Sequence, residues 1–189
     1  MTIKYAVFVA AMLCAATTFA QIPAIDRPKH TMFPGATNPD ITPANMKNNI
    51  CKKGWSTKSI RPPSSYTTAL KREQVKNIGY TVKNTIGTVP SKSGTTRIPN
   101  IKKCIEKSST LACYEEDHLI SLELGGAPRN PDNLWPEPWF GVWNARVKDK
   151  LENTLHDKVC SGDVPLRTAQ KEMATDWIAA YQKYIGATP

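Results

Sequence analysis

Past residue 140 the apolar positions fall into step with a helix. In WNARVKDKLENTLHDKV, Trp143, Val147, Leu151, Leu155 and Val159 recur every four residues, which predicts an amphipathic helix with one apolar stripe. PLRTAQKEMATDWIAAYQKYI repeats the pattern through Leu166, Ala169, Met173, Trp177, Ala180 and Tyr184, so a second helix is expected beside it. Both stripes read as core faces without chemistry. Upstream, Pro62 and Pro63 stop any regular element, and Ser65 or Thr67 can cap a helix running to about Ile78. Ala69, Leu70, Val75 and Ile78 would form its short buried face, and Gly79 would end it. Residues 81–100 carry Thr, Ser, Lys, Pro and Gly without periodicity and read as an irregular basic loop.

Between these helical halves the pattern changes. Residues 114–124 read as extended, with Leu119, Ile120, Leu122 and Leu124 as apolar contacts, and Gly125-Gly126 opens a loop of small residues, Pro and Asn. Asn133-Leu134-Trp135 can return as a second short strand before the helix that begins near Trp143. The predicted order is strand, loop, strand, helix, an α+β arrangement with further packed helices.

The first twenty residues place Lys4 before an uncharged apolar run and end in small residues, Thr18 and Ala20, where a signal peptidase cuts. The run is shorter than the ~20 residues a membrane span needs. We therefore expect a signal peptide over 1–20, an extended or poorly ordered leader over 21–42, and a single domain over 43–189. No second apolar segment would hold the mature chain to a membrane, and export to the periplasm or medium as a monomer follows. Cys51, Cys104, Cys113 and Cys160 then remain, an even set for an oxidising compartment. IEKSSTLA between Cys104 and Cys113 can turn back as a hairpin, so we expect Cys104–Cys113 and, by elimination, Cys51–Cys160. No CxxC pair and no paired Cys/His spacing suggests zinc instead. The formal net charge of +9 suggests an anionic partner such as nucleic acid, although basicity alone serves solubility equally well.

Against that charge, YEEDHLISLELGGAPRNPDNLWPEP concentrates carboxylates around a histidine. His118, with an ordinary pKa near ~6.5, is mostly neutral at pH 7 and can take a proton from water. Asp117 offers oxygen donors that suit Mg²⁺ or Mn²⁺. Together they fit phosphodiester hydrolysis, which needs a base for water and a cation for the developing charge.

DHLISLELGG followed by NL resembles the HNH endonucleases, the ββα-metal or His-Me finger nucleases. The likeness covers roughly residues 114–152, and CKKGWSTKSIRPPSSYTTALK with the stretch from KDKLE to VCSGD extends it toward a secreted bacterial branch. The resemblance implies a ββα-metal finger, a general base at His118, and Asn133 as the asparagine that braces the loop and orients that histidine. It also implies a third position at the start of the following helix, where this chain lacks the usual histidine. Asn144, eleven positions after Asn133, is the candidate metal ligand there, with Asp149 as the alternative. Asp149 lies about 140° around a helix from Asn144, so the two do not share one ion. His156, ~18 Å along the axis from Asn144, reads as a helix-end residue. Glu116 and Glu123 are candidates to orient His118 or waters, with solvated strand edges as the alternative, and Glu115 beside them is given no role. Arg129, Arg146 and Lys148 are candidate phosphate contacts, Lys148 sharing the Asn144 face.

The implied activity is a Mg²⁺-dependent endonuclease, with Mn²⁺ as substitute, acting on DNA or also RNA with low sequence specificity and leaving a 5′-phosphate and a 3′-hydroxyl. The alternative is a nuclease-like protein that only grips nucleic acid, kept open by the missing third histidine. An envelope structural protein would be exported and basic too, but it explains none of the motif.

Overall fold

The computed structural model describes residues 27–77, 89–91, 94–96 and 111–189. The expected signal peptide and the Cys104 end of the expected bridge lie outside the described residues. The chain is α+β. Helix α1 covers Ser64–Asn77, strands β1 and β2 are Val89–Ser91 and Gly94–Thr96, and strands β3 and β4 are Tyr114–His118 and Leu134–Pro138. Helices α2, Ala145–Ser161, and α3, Leu166–Tyr184, follow. Among the described residues, no helix is long and apolar enough to cross a membrane.

The α2 stripe packs as its spacing demands: Val147, Leu151, Leu155 and Val159 are all buried in the main core. Trp143 precedes the helix and meets the Trp177 and Tyr181 rings edge-on, with centroids 5.9 and 5.3 Å apart. α3 departs from one continuous helix. Asp176 leaves helical geometry, at φ −161° and ψ 94°, and its side chain accepts hydrogen bonds from Ile178 N and Ala179 N. It caps a new helical run inside the old stripe, because a short carboxylate competes well for free amides at a helix start.

The leader has a structural part to play. From residue 27 on it is pinned to the loop between β3 and β4: Gly35 N donates to Asp132 O, Asn38 N to Gly125 O, and Ala127 N to Ala36 O. Phe33 and Ile41 lie in the core. The Cys51–Cys160 disulfide ties this segment to the end of α2. Cys113 is also disulfide-bonded.

Within the segment expected to be an irregular loop, the described residues Val89–Ser91 and Gly94–Thr96 pair antiparallel as β1 and β2, Val89 opposite Thr96. Valine and threonine favour such strands.

β3 and β4 form an antiparallel pair with Glu115 opposite Glu137 and Asp117 opposite Trp135. The extended run stops at His118, earlier than its sequence suggests, and a 3₁₀ turn, Leu122–Leu124, takes over. β4 tolerates Pro136 and Pro138 because alternate residues in a two-stranded pair turn their backbone groups outward. The same outward set includes the carbonyls of Leu134 and Tyr114. α1 satisfies both, through Gln74 Nε2 at 2.7 Å and Lys71 Nζ at 2.8 Å. That explains why its buried face holds Gln74 beside Val75, where apolar patterning alone sees too little. α1 therefore covers one face of the strand pair and α2 the other.

Candidate functional site

The loop after β3 is held by one side chain. Asn133, fully buried, accepts from Ile120 N at 2.8 Å and Ala36 N at 3.4 Å, and donates to Ile120 O at 3.0 Å and Ala127 O at 3.2 Å. The two glycines fit this closure for separate reasons. Gly125 has φ 72° and ends the 3₁₀ turn, and a Cβ there would meet Ile41 at 2.6 Å. A Cβ on Gly126 would lie 1.8 Å from the Ile120 carbonyl oxygen and 2.8 Å from Asn133 Nδ2, so the loop can reach the asparagine only with glycine at this position.

His118 ends β3 and is 5% exposed. Its Nε2 lies 3.0 Å from Pro128 O. A carbonyl only accepts, so Nε2 carries the proton and Nδ1 keeps the lone pair. Burial lowers the His118 pKa below its ordinary value, outweighing the opposite pull of Asp117 and of the Pro128 hydrogen bond. The ring is held neutral with a basic nitrogen available.

Asp117 points to the other side of the strand, toward α2. Burial would raise its pKa, but Lys148 above all, with further neighbours, holds it well below the carboxylate range. Lys148 is 0% exposed and donates to Asp117 Oδ2 at 2.6 Å, to His118 O at 2.8 Å and to Glu152 Oε1. Glu137, also fully buried, stands 3.6 Å away. Burial is the first cause raising Glu137 well above its usual range, which makes it the protonated partner of Asp117. Burial likewise lifts Glu152 to about 7, although Lys148 opposes it.

This cluster revises several expectations. Lys148 holds three acids inside the protein and is not a phosphate contact. Asn144 is the N-cap of α2: its side chain accepts from Arg146 N at 3.1 Å and donates to Gly141 O at 2.8 Å, so its amide oxygen serves the helix start instead of an ion. Asp149 is exposed and acts at a distance, raising Glu115 and Glu152. Glu152, four positions beyond Lys148 and about two turns into α2, shares that lysine with Asp117. Its signal was the i,i+4 pair Lys148–Glu152 on the face that meets β3.

Two clefts open at His118. A small pocket of about 20 Å³ is lined by Asp117, His118, Ser121, Glu123 and Glu152, with Thr57 and Arg61 at its side; it has room for one water-sized guest. A larger cleft of about 310 Å³ runs along α1, lined by Arg61, Lys71, Glu116, His118 and Trp139 among others. Glu123 thus belongs to the small pocket and Glu116 to the large cleft. Burial raises both Glu115 and Glu116 to about 8. Arg61, absent from the sequence-based candidates, is exposed and lines both clefts, and Thr57 Oγ1 accepts from its Nε at 3.2 Å. Arg146 lies 6.0 Å from the ring of Trp139, itself a wall of the large cleft, and is not among the residues that line it. Arg129 is exposed beside the loop, its carbonyl accepting from Tyr66 Oη at 2.7 Å.

Among the described residues, one trio of histidine, cysteine or acid side chains brings its ligand atoms within 4.8 Å of each other: Cys51, His156 and Cys160. His156 is more than a helix-end residue, since its Nε2 lies 3.0 Å from Ile50 O and 3.5 Å from Cys160 Sγ. No protein-family model, curated protein or solved structure matches the chain.

Proposed function

We propose that this protein is an exported endonuclease of the HNH, ββα-metal type, hydrolysing phosphodiester bonds of nucleic acid, DNA foremost. The observation that carries the reading is His118: a neutral imidazole with Nε2–H fixed on Pro128 O, seated between a pocket of acids and a cleft with an exposed arginine. The strand, braced loop, strand and helix around it follow the order that the HNH resemblance implies.

Oxygen donors of the kind a hard divalent cation takes line the small pocket, with Lys148 already holding one oxygen each of Asp117 and Glu152. Asp117 and Glu152 present carboxylate oxygens to the small pocket, with Glu123 and Ser121 in the same wall, and Mg²⁺ is commonly held by one or two carboxylates plus water. Bound there, Mg²⁺ or Mn²⁺ would supply positive charge for the phosphate and the leaving oxygen. The chain's own residues do the rest. His118 Nδ1 takes the proton of the attacking water, and Pro128 O keeps the ring from turning. Arg61 meets the phosphate from the side that both clefts share. Lys148 keeps Asp117 ionised while the other buried acids nearby are pushed toward their neutral forms. Contacts of this kind read the backbone and not the bases, so low sequence specificity follows.

Purified chain incubated with plasmid tests the reading. Cutting is expected in Mg²⁺ or Mn²⁺, lost with chelator, and reduced at least about a hundredfold in His118→Ala. Intact plasmid in both metals, or His118→Ala cutting at the parent rate, would reject it. Arg61→Ala is expected to weaken nucleic-acid binding and, because the arginine helps hold His118 below its ordinary pKa, to move the acid limb of the pH profile upward.

A further inference from the structure

Cys160 and His156 stand one turn apart on α2, and Cys51 reaches them from the N-terminal segment. His156 Nε2 lies 3.5 Å from Cys160 Sγ. In a tetrahedral zinc site, with Zn–S ~2.3 Å and Zn–N ~2.0 Å, a sulfur and a nitrogen sharing the ion stand ~3.5 Å apart. Two of the three ligand atoms already keep that separation, and only the Cys51 sulfur must swing aside once its bond is cut. The geometry points to a second, redox-gated metal site: when the bridge is reduced, Cys51, Cys160 and His156 bind a soft divalent cation such as Zn²⁺ in its place.

A dithiol supplies the two electrons and two protons that turn the bridge into two thiols, and itself closes to a cyclic disulfide. The incoming cation then displaces the two thiol protons. Lys47, whose Nζ donates to Cys160 O, adds positive charge that favours the thiolates. His156 Nε2 now donates to Ile50 O at 3.0 Å. Ligation replaces that bond and moves the proton to Nδ1, which faces solvent near exposed Asp157, 3.9 Å from its Oδ1. All three residues are partly exposed, so reductant and ion can reach them, and a water completes the tetrahedron. The sequence signal is H-x₃-C on one helix face, a paired Cys/His spacing missed at the level of sequence. None of these residues lines the clefts at His118, so the site stands or falls independently of the nuclease reading.

The test reduces the full chain with a phosphine, which takes oxygen from water to become its oxide as the thiols form, and titrates Co²⁺. A thiolate-to-cobalt absorption should saturate at one ion per chain, be displaced by Zn²⁺, be absent from the oxidised chain, and need at least about tenfold more cobalt in His156→Ala. Thermal melting supplies a second readout should that variant fold poorly: Zn²⁺ should raise the melting temperature of the reduced parent and leave that of reduced Cys51→Ser unchanged. No saturable absorption in the reduced parent, parent-like affinity in His156→Ala, or a melting temperature indifferent to Zn²⁺ would overturn the site.

Discussion

Asn133 and Ile120 exchange two hydrogen bonds, side-chain oxygen to backbone N–H at 2.8 Å and side-chain nitrogen to backbone carbonyl at 3.0 Å. One amide thereby substitutes for a missing strand neighbour and closes the loop that sets the His118 partner, Pro128. Asn133→Ala leaves those buried groups unmet and should cost about 2–4 kcal/mol of stability. Urea unfolding checks it, with Asn133→Asp no better because it keeps the acceptor and loses both donors.

Lys148→Met should destabilise more, by about 3–5 kcal/mol, since it leaves buried Asp117 and Glu152 without their cation. Chemical denaturation at pH 7 measures the loss. The penalty should shrink at acid pH, where those carboxyls take up protons. A loss that stayed constant with pH would show that the lysine acts by packing alone.

Glu116 has both carboxylate oxygens buried without a hydrogen-bond partner among the described residues. Burial lifts it to about 8, against the pull of Lys71 and with a further push from Asp117. A folded pKa above the unfolded 4.5 contributes stability that is complete below 4.5 and lost as pH rises through about 8. His118 is lowered from 6.5; its contribution is lost only on acidification, so above about pH 6.5 the acids dominate. The parent's melting temperature should fall between about pH 6.5 and about pH 9, and Glu116→Gln should flatten that slope and gain on the order of 2 kcal/mol at its alkaline end.

Asn144→Ala tests where the cation sits. Loss of the α2 cap should cost about 1 kcal/mol and leave the Mg²⁺ dependence of plasmid cutting unchanged. Glu152→Gln should raise the Mg²⁺ needed at least about tenfold. The reverse outcome would return the ligand role to Asn144.

Much of this was legible from residue patterns, and the limits are physical. The α2 stripe from Val147 to Val159 was readable because helical periodicity is local, whereas Asn133 as a loop brace came only through the HNH resemblance. Lys148 was misread because a lysine beside charged neighbours looks solvated until the opposing strand contributes Asp117 and Glu137. Arg61 was invisible because it lies fifty-seven positions before His118, and only the placement of α1 brings them to one cleft. Asn144 shows the same limit in reverse, since an asparagine before a helix satisfies the cap rule and the ligand expectation equally.

The bond from Gly35 N to Asp132 O and the reach of Asn133 to Ala36 also set a timetable. Residues near 35 leave the ribosome almost a hundred positions before the asparagine they must meet, and Lys148 and Glu152 follow later still. No partial chain can assemble His118 with its brace and its acid cluster. Contacts so far apart in sequence form slowly, so these residues come together only when most of the chain has been made.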